Sequence, residues 1–163
     1  MTLLPTPAAG DVERWVGEHL LDLTCDPEVR RSGRFVGTQE AADVALAGLD
    51  LDGYAGRRNE VLPEDARGAT ALSPYIRHGL VSLREAWAAA ADATSKDRQK
   101  FRDELMWQEY ARHLYARLGG RTRDAIRFEP ARDTSPGDPW DRSMACIDTS
   151  LSELENDGWM LSL

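Results

Sequence analysis

The chain has 163 residues, a length that suits a single domain with a buried hydrophobic core. Apolar residues make up 42% of it and charged residues 29%, as in ordinary globular proteins. The formal net charge is −8, so the overall field repels phosphate, and any contact with a nucleic acid has to be local. The sequence shows neither a membrane-spanning apolar stretch nor the basic and apolar regions of a signal peptide.

The cysteines and histidines give no sign of a metal or catalytic site. Cys25 and Cys146 are far apart and lack metal-site spacing, so we expect free thiols, as in a reducing cytoplasm. His19, His78 and His113 form no carboxylate–histidine pair with a spacing suited to acid–base chemistry. We therefore predict a cytoplasmic protein without a metal.

The N-terminal third predicts a free end and two helices. Residues 1–10 contain two prolines and a glycine and are expected to be disordered. Asp11 can begin a helix that ends at Leu23, and Thr38 can cap another over residues 39–49. The segment between them is broken by proline and glycine and predicts a loop. The residues expected to face the core are Trp15, Val16, Leu20, Leu23, Ala42, Val44, Ala45, Leu46 and Leu49.

A turn of small residues ahead of a short helix stands in the middle of the chain. Ser73 and Pro74 suit the N-cap and first position of a helix over residues 74–78, and Gly79 suits its end. Thr70 adds a second hydroxyl, and the free N–H groups at a helix start attract anions. The turn is therefore compatible with a phosphate site. Because no P-loop pattern is present, an ordinary helix cap stays the alternative.

Two further helices are predicted after this turn. Ser82 and Glu85 form a capping box that begins a helix over residues 83–93. Ser95 can cap a long helix over residues 96–118.

The long helix has two stripes of different character. One combines aromatic, acidic and amide side chains, which are costly to bury without partners, so this face is either solvated or lines a polar cleft. Its members are Phe101, Glu104, Gln108, Ala111 and Tyr115. The neighbouring stripe is expected to be core, and it consists of Trp107, Tyr110, Leu114 and Leu118.

The C-terminal part predicts a long loop and one more helix. Residues 119–142 are rich in glycine, proline and charge, and form a loop longer than a compact domain usually contains. A last helix over residues 148–157 is expected to end at Gly158. Because no stretch has the alternation of a strand, we predict an all-α helical bundle.

Five short motifs, in order along the chain, resemble the FAD-binding helical domain of the DNA photolyase/cryptochrome family. They are Phe35 to Ala42, Tyr54 to Asn59, the turn that leads into Pro74, the run Glu-Leu-Met-Trp-Gln-Glu-Tyr that ends at Tyr110, and Asp148 to Met160. The resemblance implies that residues 11–163 form part of such a domain. It also implies FAD binding and the light-driven repair of pyrimidine dimers in DNA by a deoxyribodipyrimidine photolyase, which is a lyase.

The same resemblance implies a role for each matching residue. The FAD-binding residues would be Tyr54, Thr70, Ala71, Leu72, Ser73, Phe101 and Gln108. On the DNA side, Arg58 would meet a backbone phosphate, Glu104 would hydrogen-bond the flipped base, and Trp107 would stack on it. The plainer alternatives are helix packing for Tyr54, Phe101 and Trp107, and a solvated surface position for Arg58. Gln108 stands where the family often has an arginine, which removes a charge-assisted hydrogen bond to phosphate.

The resemblance reaches only the first part of the family's flavin domain. The N-terminal antenna domain and the continuation after Met160 have no counterpart, and Leu161 and Ser162 replace a His-Asn pair. We therefore expect a C-terminally truncated photolyase domain that is inactive alone. One alternative is an inactive remnant of a photolyase. Another is a non-enzymatic helical module that associates with another subunit, such as a second copy, through an exposed apolar surface. That surface would consist of Trp159, Met160, Leu161 and Leu163.

Overall fold

The computed structural model describes residues 4–8, 10–23, 28–125 and 140–161. Every regular element in these ranges is helical, so the predicted all-α fold is confirmed for them. The α-helices are α1 (Val12–His19), α2 (Gln39–Ala47), α3 (Tyr54–Arg57), α4 (Ser73–Arg77), α5 (Leu83–Ala89), α6 (Ser95–Leu118) and α7 (Ala145–Asp157). Short 3-10 turns occupy Leu21–Leu23, Glu64–Ala66 and Gly119–Arg123. Among these helices, none has the length and apolar character needed to cross a bilayer.

The hydrophobic core is built from α2 to α5, the turns between them and the first half of α6. Alanines on α2 and α5 let these helices approach closely, and larger side chains from the turns and α6 fill the space between them. Leu72, 1% exposed, is one of the most completely buried large side chains, which stabilises the fold by about 1.5–3 kcal/mol. The buried cluster comprises Ala42, Leu51, Tyr54, Leu72, Tyr75, Ile76, Val81, Ala86, Ala90, Phe101 and Leu105.

Side chains cap the N-termini of α2, α5 and α6. The predicted Thr38 cap is confirmed, because its hydroxyl accepts the Ala41 N–H at 3.2 Å. The capping box is also confirmed: Ser82 Oγ accepts the Glu85 N–H at 3.2 Å, and Glu85 Oε2 accepts the Ser82 N–H at 2.8 Å. These caps satisfy N–H groups that would otherwise lack a helical partner.

The cap of α6 differs from the prediction by one residue. Thr94, not Ser95, is the N-cap, and its hydroxyl accepts the Asp97 N–H at 3.3 Å. Ser95 is already the first helical residue. Both are good capping residues, and the spacing to Asp97 selects Thr94.

Asp97 joins the start of α6 to the start of α3. Although only 6% exposed, its carboxylate is well satisfied. Its Oδ1 accepts the Ala55 N–H at 2.8 Å, and its Oδ2 accepts the Thr94 hydroxyl at 2.7 Å. These hydrogen bonds, chiefly the one from Ala55, lower the pKa of Asp97. The carboxylate therefore fixes the position of α3, which bears Tyr54.

Several residues expected in the core are exposed. They are Leu23 in the first 3-10 turn, Val44 on α2, and Trp107 and Tyr110 on α6. The α6 prediction was wrong because α3 and α5 cover only the first half of that helix, where Asp97, Phe101 and Leu105 are the buried residues. Helical periodicity identifies a face, whereas burial depends on what packs against it.

The glycines predicted to end helices do so, whereas several predicted helix boundaries differ from the structure. Gly79 and Gly158 follow α4 and α7 with φ of +76° and +66°, the left-handed conformation that favours glycine. The helix predicted to reach Leu23 ends at His19, and the one predicted to begin at residue 148 begins at Ala145. In the predicted loop 119–142, residues 119–123 form a 3-10 turn.

Some predictions fall on residues outside the described ranges. These are Cys25, Leu163, residues 126–139 of the predicted loop 119–142, and part of the N-terminal segment. Cys146 is described and is a free, half-buried thiol.

Candidate cofactor site

A cavity of about 560 Å³ lies between residues 69–73, α3, α6 and the segment that follows α7. We call it the cofactor cavity. All ten residues that the sequence assigns to FAD or DNA line it, which are Tyr54, Arg58, Thr70, Ala71, Leu72, Ser73, Phe101, Glu104, Trp107 and Gln108. The structure thus brings together every predicted site residue, although what the cavity binds stays a prediction.

The turn at residues 68–73 is held in an unusual shape. Ala71 has φ of +53°, a left-handed conformation that costs a non-glycine residue roughly 1–2 kcal/mol. On one side, the Gly68 N–H donates to Arg57 O at 3.0 Å, and a Cβ at Gly68 would stand only 2.8 Å from the Arg57 Cβ. On the other side, Leu72 is anchored in the core. Strained backbone of this kind is concentrated at ligand sites.

Ser73 is not the N-cap of the short helix, which corrects the prediction. Leu72 occupies that position without a side-chain cap, and Ser73 is the first residue of α4. The Ser73 hydroxyl instead accepts the indole N–H of Trp159 at 3.1 Å. Since the hydroxyl accepts this bond, its own proton remains available to a ligand. Thr70 Oγ1 lies 3.5 Å from the Leu72 N–H, at the outer limit of a hydrogen bond, and likewise keeps its proton.

Charged side chains on the opposite wall are paired with one another. Glu104 Oε1 lies 3.2 Å from Arg58 Nε and 2.6 Å from Lys100 Nζ. Arg58 also donates through Nη1 to Ala55 O at 2.8 Å. Arg58 is therefore partly buried and held in the wall, so the alternative of a solvated surface arginine is wrong.

Tyr54 supplies a buried phenol to the cavity wall. Its ring packs edge-to-face on Phe101, with 5.4 Å between the ring centroids. Burial raises the pKa of Tyr54 to about 12, with a further rise from the nearby Glu104 charge and an opposing effect of Arg58. The phenol therefore stays protonated at neutral pH and can donate a hydrogen bond.

Trp107 stands at the open side of the cavity, next to the partly buried Gln108. Its side chain is 62% exposed, and its ring meets Tyr110 edge-on at a centroid distance of 5.7 Å. The alternative in which Trp107 is an ordinary core residue is therefore wrong. An exposed indole beside a cavity offers a flat apolar surface on which an aromatic ligand can stack.

The segment after α7 forms a wall that sequence reasoning missed. Trp159 and Met160 line the cavity together with Leu161, which is only 5% exposed. The guanidinium of Arg34 lies over the Trp159 ring, 4.6 Å from its centroid, and helps to hold the ring in place. The expected exposed apolar surface is therefore wrong for Leu161, although Met160 remains exposed. The signal available in the sequence was the apolar run directly after the Gly158 cap.

The described residues contain no group of three or more histidine, cysteine or acidic side chains that could hold a metal ion. The site chemistry available to them consists of hydroxyl, amide and phenol donors, one ion-paired arginine and several aromatic faces.

Comparison with known proteins gives one informative similarity. A deoxyribodipyrimidine photo-lyase of Synechococcus sp. is 26% identical over 143 residues, an alignment that covers 75% of this chain. The chain spans 27% of the length of that relative. No family model matches the chain, and no solved structure matches it. The similarity indicates a relationship to photolyases.

Proposed function

We propose that the cofactor cavity binds FAD and that the chain is a photolyase-like flavoprotein domain. The observation that carries the proposal is the convergence of ten residues, chosen from photolyase-like motifs, around one cavity. Its volume of about 560 Å³ lies within the range of small-molecule sites, roughly 300–1,000 Å³. The similarity to a photolyase supports the same assignment.

The turn at residues 69–73 would hold the diphosphate. Thr70 and Ser73 each keep a hydroxyl proton to donate, and the first N–H groups of α4 lack helical acceptors. Gln108 adds a neutral amide from α6. Because Arg58 is paired with Glu104, we expect hydrogen bonding, and not a free cation, to dominate the binding of the phosphates.

The aromatic side of the cavity would hold the remainder of the cofactor and face the substrate. Tyr54 and Phe101 form a rigid buried pair against which a ring can pack, and the Tyr54 phenol can donate a hydrogen bond. A bound flavin would supply the light-driven electron transfer that opens a pyrimidine dimer. The side chains themselves would bind, orient and shield it from water.

DNA with a flipped pyrimidine dimer is the substrate that we assign to the open side. Trp107 would stack on the extruded base, and Glu104 would accept hydrogen bonds from it. The net charge of −8 opposes binding to long DNA, so the contact would be confined to the lesion.

Flavin retention tests the proposal directly. The chain is purified, mixed with FAD and desalted, and the visible flavin absorption band is measured. We expect a retained band that is weakened in the double variant Thr70→Val, Ser73→Ala and unchanged in the matched control Ser95→Ala, which alters an exposed hydroxyl on α6. Protein that stays colourless and does not quench flavin fluorescence on titration would exclude FAD and leave only a photolyase-like fold.

The second candidate function is that of a non-enzymatic helical interaction module. The observation in its favour is the exposed apolar surface on the second half of α6, formed by Met106, Trp107, Tyr110 and Tyr115. Light scattering after size-exclusion chromatography separates the two candidates. A stable dimer without flavin supports the module, whereas a monomer that retains flavin supports the first proposal.

A further inference from the structure

A second cavity, of about 650 Å³, adjoins the cofactor cavity. The two share Ser73, Gln108 and Trp159, and the second extends along the end of α4 and the second half of α6. None of the roles assigned above uses it. We call it the basic cavity because of the residues described next.

The charge of the basic cavity is opposite to that of the chain. Arg77, His78 and Arg112 line it, and none of its described lining residues is acidic, although the chain has a net charge of −8. In the cofactor cavity, by contrast, the arginine is neutralised by a glutamate on the same wall. A cavity with two arginines and no carboxylate attracts anions.

The two arginines are available to a ligand. Within the described part of the chain, the side chain of Arg77 forms no ion pair or hydrogen bond. Arg112 Nη1 lies 3.7 Å from Glu109 Oε2, an exposed pair one helical turn apart that holds the guanidinium only weakly. Both guanidinium groups can therefore turn towards an anion in the cavity.

The remaining lining residues complete a site for a phosphate with a flat group attached. The Ser73 hydroxyl keeps its proton because it accepts the Trp159 N–H, and Gln108 has amide donors; both border the two cavities, and the hydroxyl proton serves a ligand in one cavity at a time. Trp159 and Tyr115 provide aromatic faces in the same cavity. Arginine matches the geometry of phosphate with two parallel hydrogen bonds, and a volume of about 650 Å³ accommodates a mononucleotide-sized molecule.

We infer that the basic cavity binds a phosphate monoester of nucleotide size, with Arg77 and Arg112 on the phosphate and Trp159 against the ring. This inference goes beyond FAD binding, and it stands even if the cofactor cavity holds no flavin. Neither arginine lines the cofactor cavity, so the two sites can be altered separately.

Isothermal titration of the full chain with AMP tests the inference, with adenosine as the ligand that lacks phosphate. We expect AMP to bind and adenosine not to bind. Because each arginine supplies a charge-assisted contact, Arg77→Gln and Arg112→Gln should each weaken AMP binding roughly tenfold or more. Arg84→Gln removes an exposed arginine of α5 that lines neither cavity, and it should leave the affinity unchanged.

The absence of AMP binding would overturn the inference, and so would any of three further results. One is an AMP affinity that is equal in the wild type, Arg77→Gln and Arg112→Gln. Another is an affinity that falls in Thr70→Val but not in Arg77→Gln, which would place AMP in the cofactor cavity. The third is an oligothymidylate that binds more tightly than AMP with the same arginine dependence, which would assign the arginines to a nucleic-acid backbone. Helical circular dichroism of each variant verifies folding, and Arg77→Lys, which keeps the charge, should retain part of the affinity.

Discussion

The two halves of α6 have different environments and, we infer, different tasks. The first half packs against α3 and α5 and buries Asp97, Phe101 and Leu105. The second half exposes Met106, Trp107, Tyr110 and Tyr115 and borders both cavities. One continuous helix therefore provides most of its core contacts up to Leu105, together with Phe101 and Glu104 in the cofactor cavity, and exposed ligand-facing surface beyond it. Substitutions at buried positions of the first half should affect stability, and those at exposed positions of the second half should affect binding.

The largest effect is expected from Leu105→Ala. Removing a buried leucine side chain leaves a cavity beside Phe101 and should lower the free energy of unfolding by about 2–5 kcal/mol. Tyr115→Ala, ten residues further along the helix and exposed, should change it by no more than about 0.5 kcal/mol. Urea denaturation followed by circular dichroism measures both values. Equal losses would show that the second half is also packed in solution.

Asp97 should make the packed half sensitive to acid. Hydrogen bonds from Ala55 and Thr94 lower its pKa in the folded state, so its contribution is fully present above the ordinary pKa of 3.8. The contribution is lost as the pH falls through the lowered value. Asp97→Asn should be less stable at neutral pH and should lose less stability between neutral and acidic pH than the wild type. Parallel curves for the two proteins, from urea denaturation at a series of pH values, would contradict this role.

Gln108→Arg tests the role of the second half of α6 in binding. If FAD occupies the cofactor cavity, a cation at this position adds a charge-assisted hydrogen bond to phosphate, and affinity should rise about fivefold. Gln99→Arg places the same charge on the first half of α6, away from both cavities, and serves as the matched control. Quenching of flavin fluorescence gives the affinities. A rise of the same size in both variants would indicate a general charge effect.

The smallest effect is expected in the turn at residues 68–73, which faces the second half of α6. Ala71→Gly relieves the left-handed strain and should stabilise the fold by about 0.5–1 kcal/mol, because glycine adopts positive φ freely. Ala88→Gly, at an exposed position of α5, should instead destabilise it by about 1 kcal/mol. Thermal unfolding compares the two variants. Destabilisation by both would mean that Ala71 is not strained.

The features predicted correctly from the sequence depend on residues close together in the chain. The Ser82–Glu85 capping box and the glycines after α4 and α7 were found because each motif spans only a few positions. The ten candidate site residues line one cavity because family-like motifs already encode distant contacts, and their roles stay predictions. Periodicity alone placed Trp107 in the core and was wrong.

The features that were missed depend on contacts between distant parts of the chain. The sequence analysis assigned no role to Asp97, whose carboxylate accepts a hydrogen bond from Ala55, 42 positions away. The hydrogen bond from Trp159 to Ser73 spans 86 positions. No local sequence pattern indicates either pair. The hydrogen bond that positions α3 and the cavity wall formed by the segment after α7 are therefore visible only in the folded structure.

The close approach of Gly68 to Arg57 limits how this protein can vary. A single methyl group at position 68 would overlap the backbone and Cβ of Arg57, which cannot move without displacing the end of α3. In a saturation library selected for folded product, we expect this position to return glycine alone, while its neighbour Ala69 accepts other small residues. We therefore expect related sequences to differ at other positions of the turn but to keep glycine at position 68.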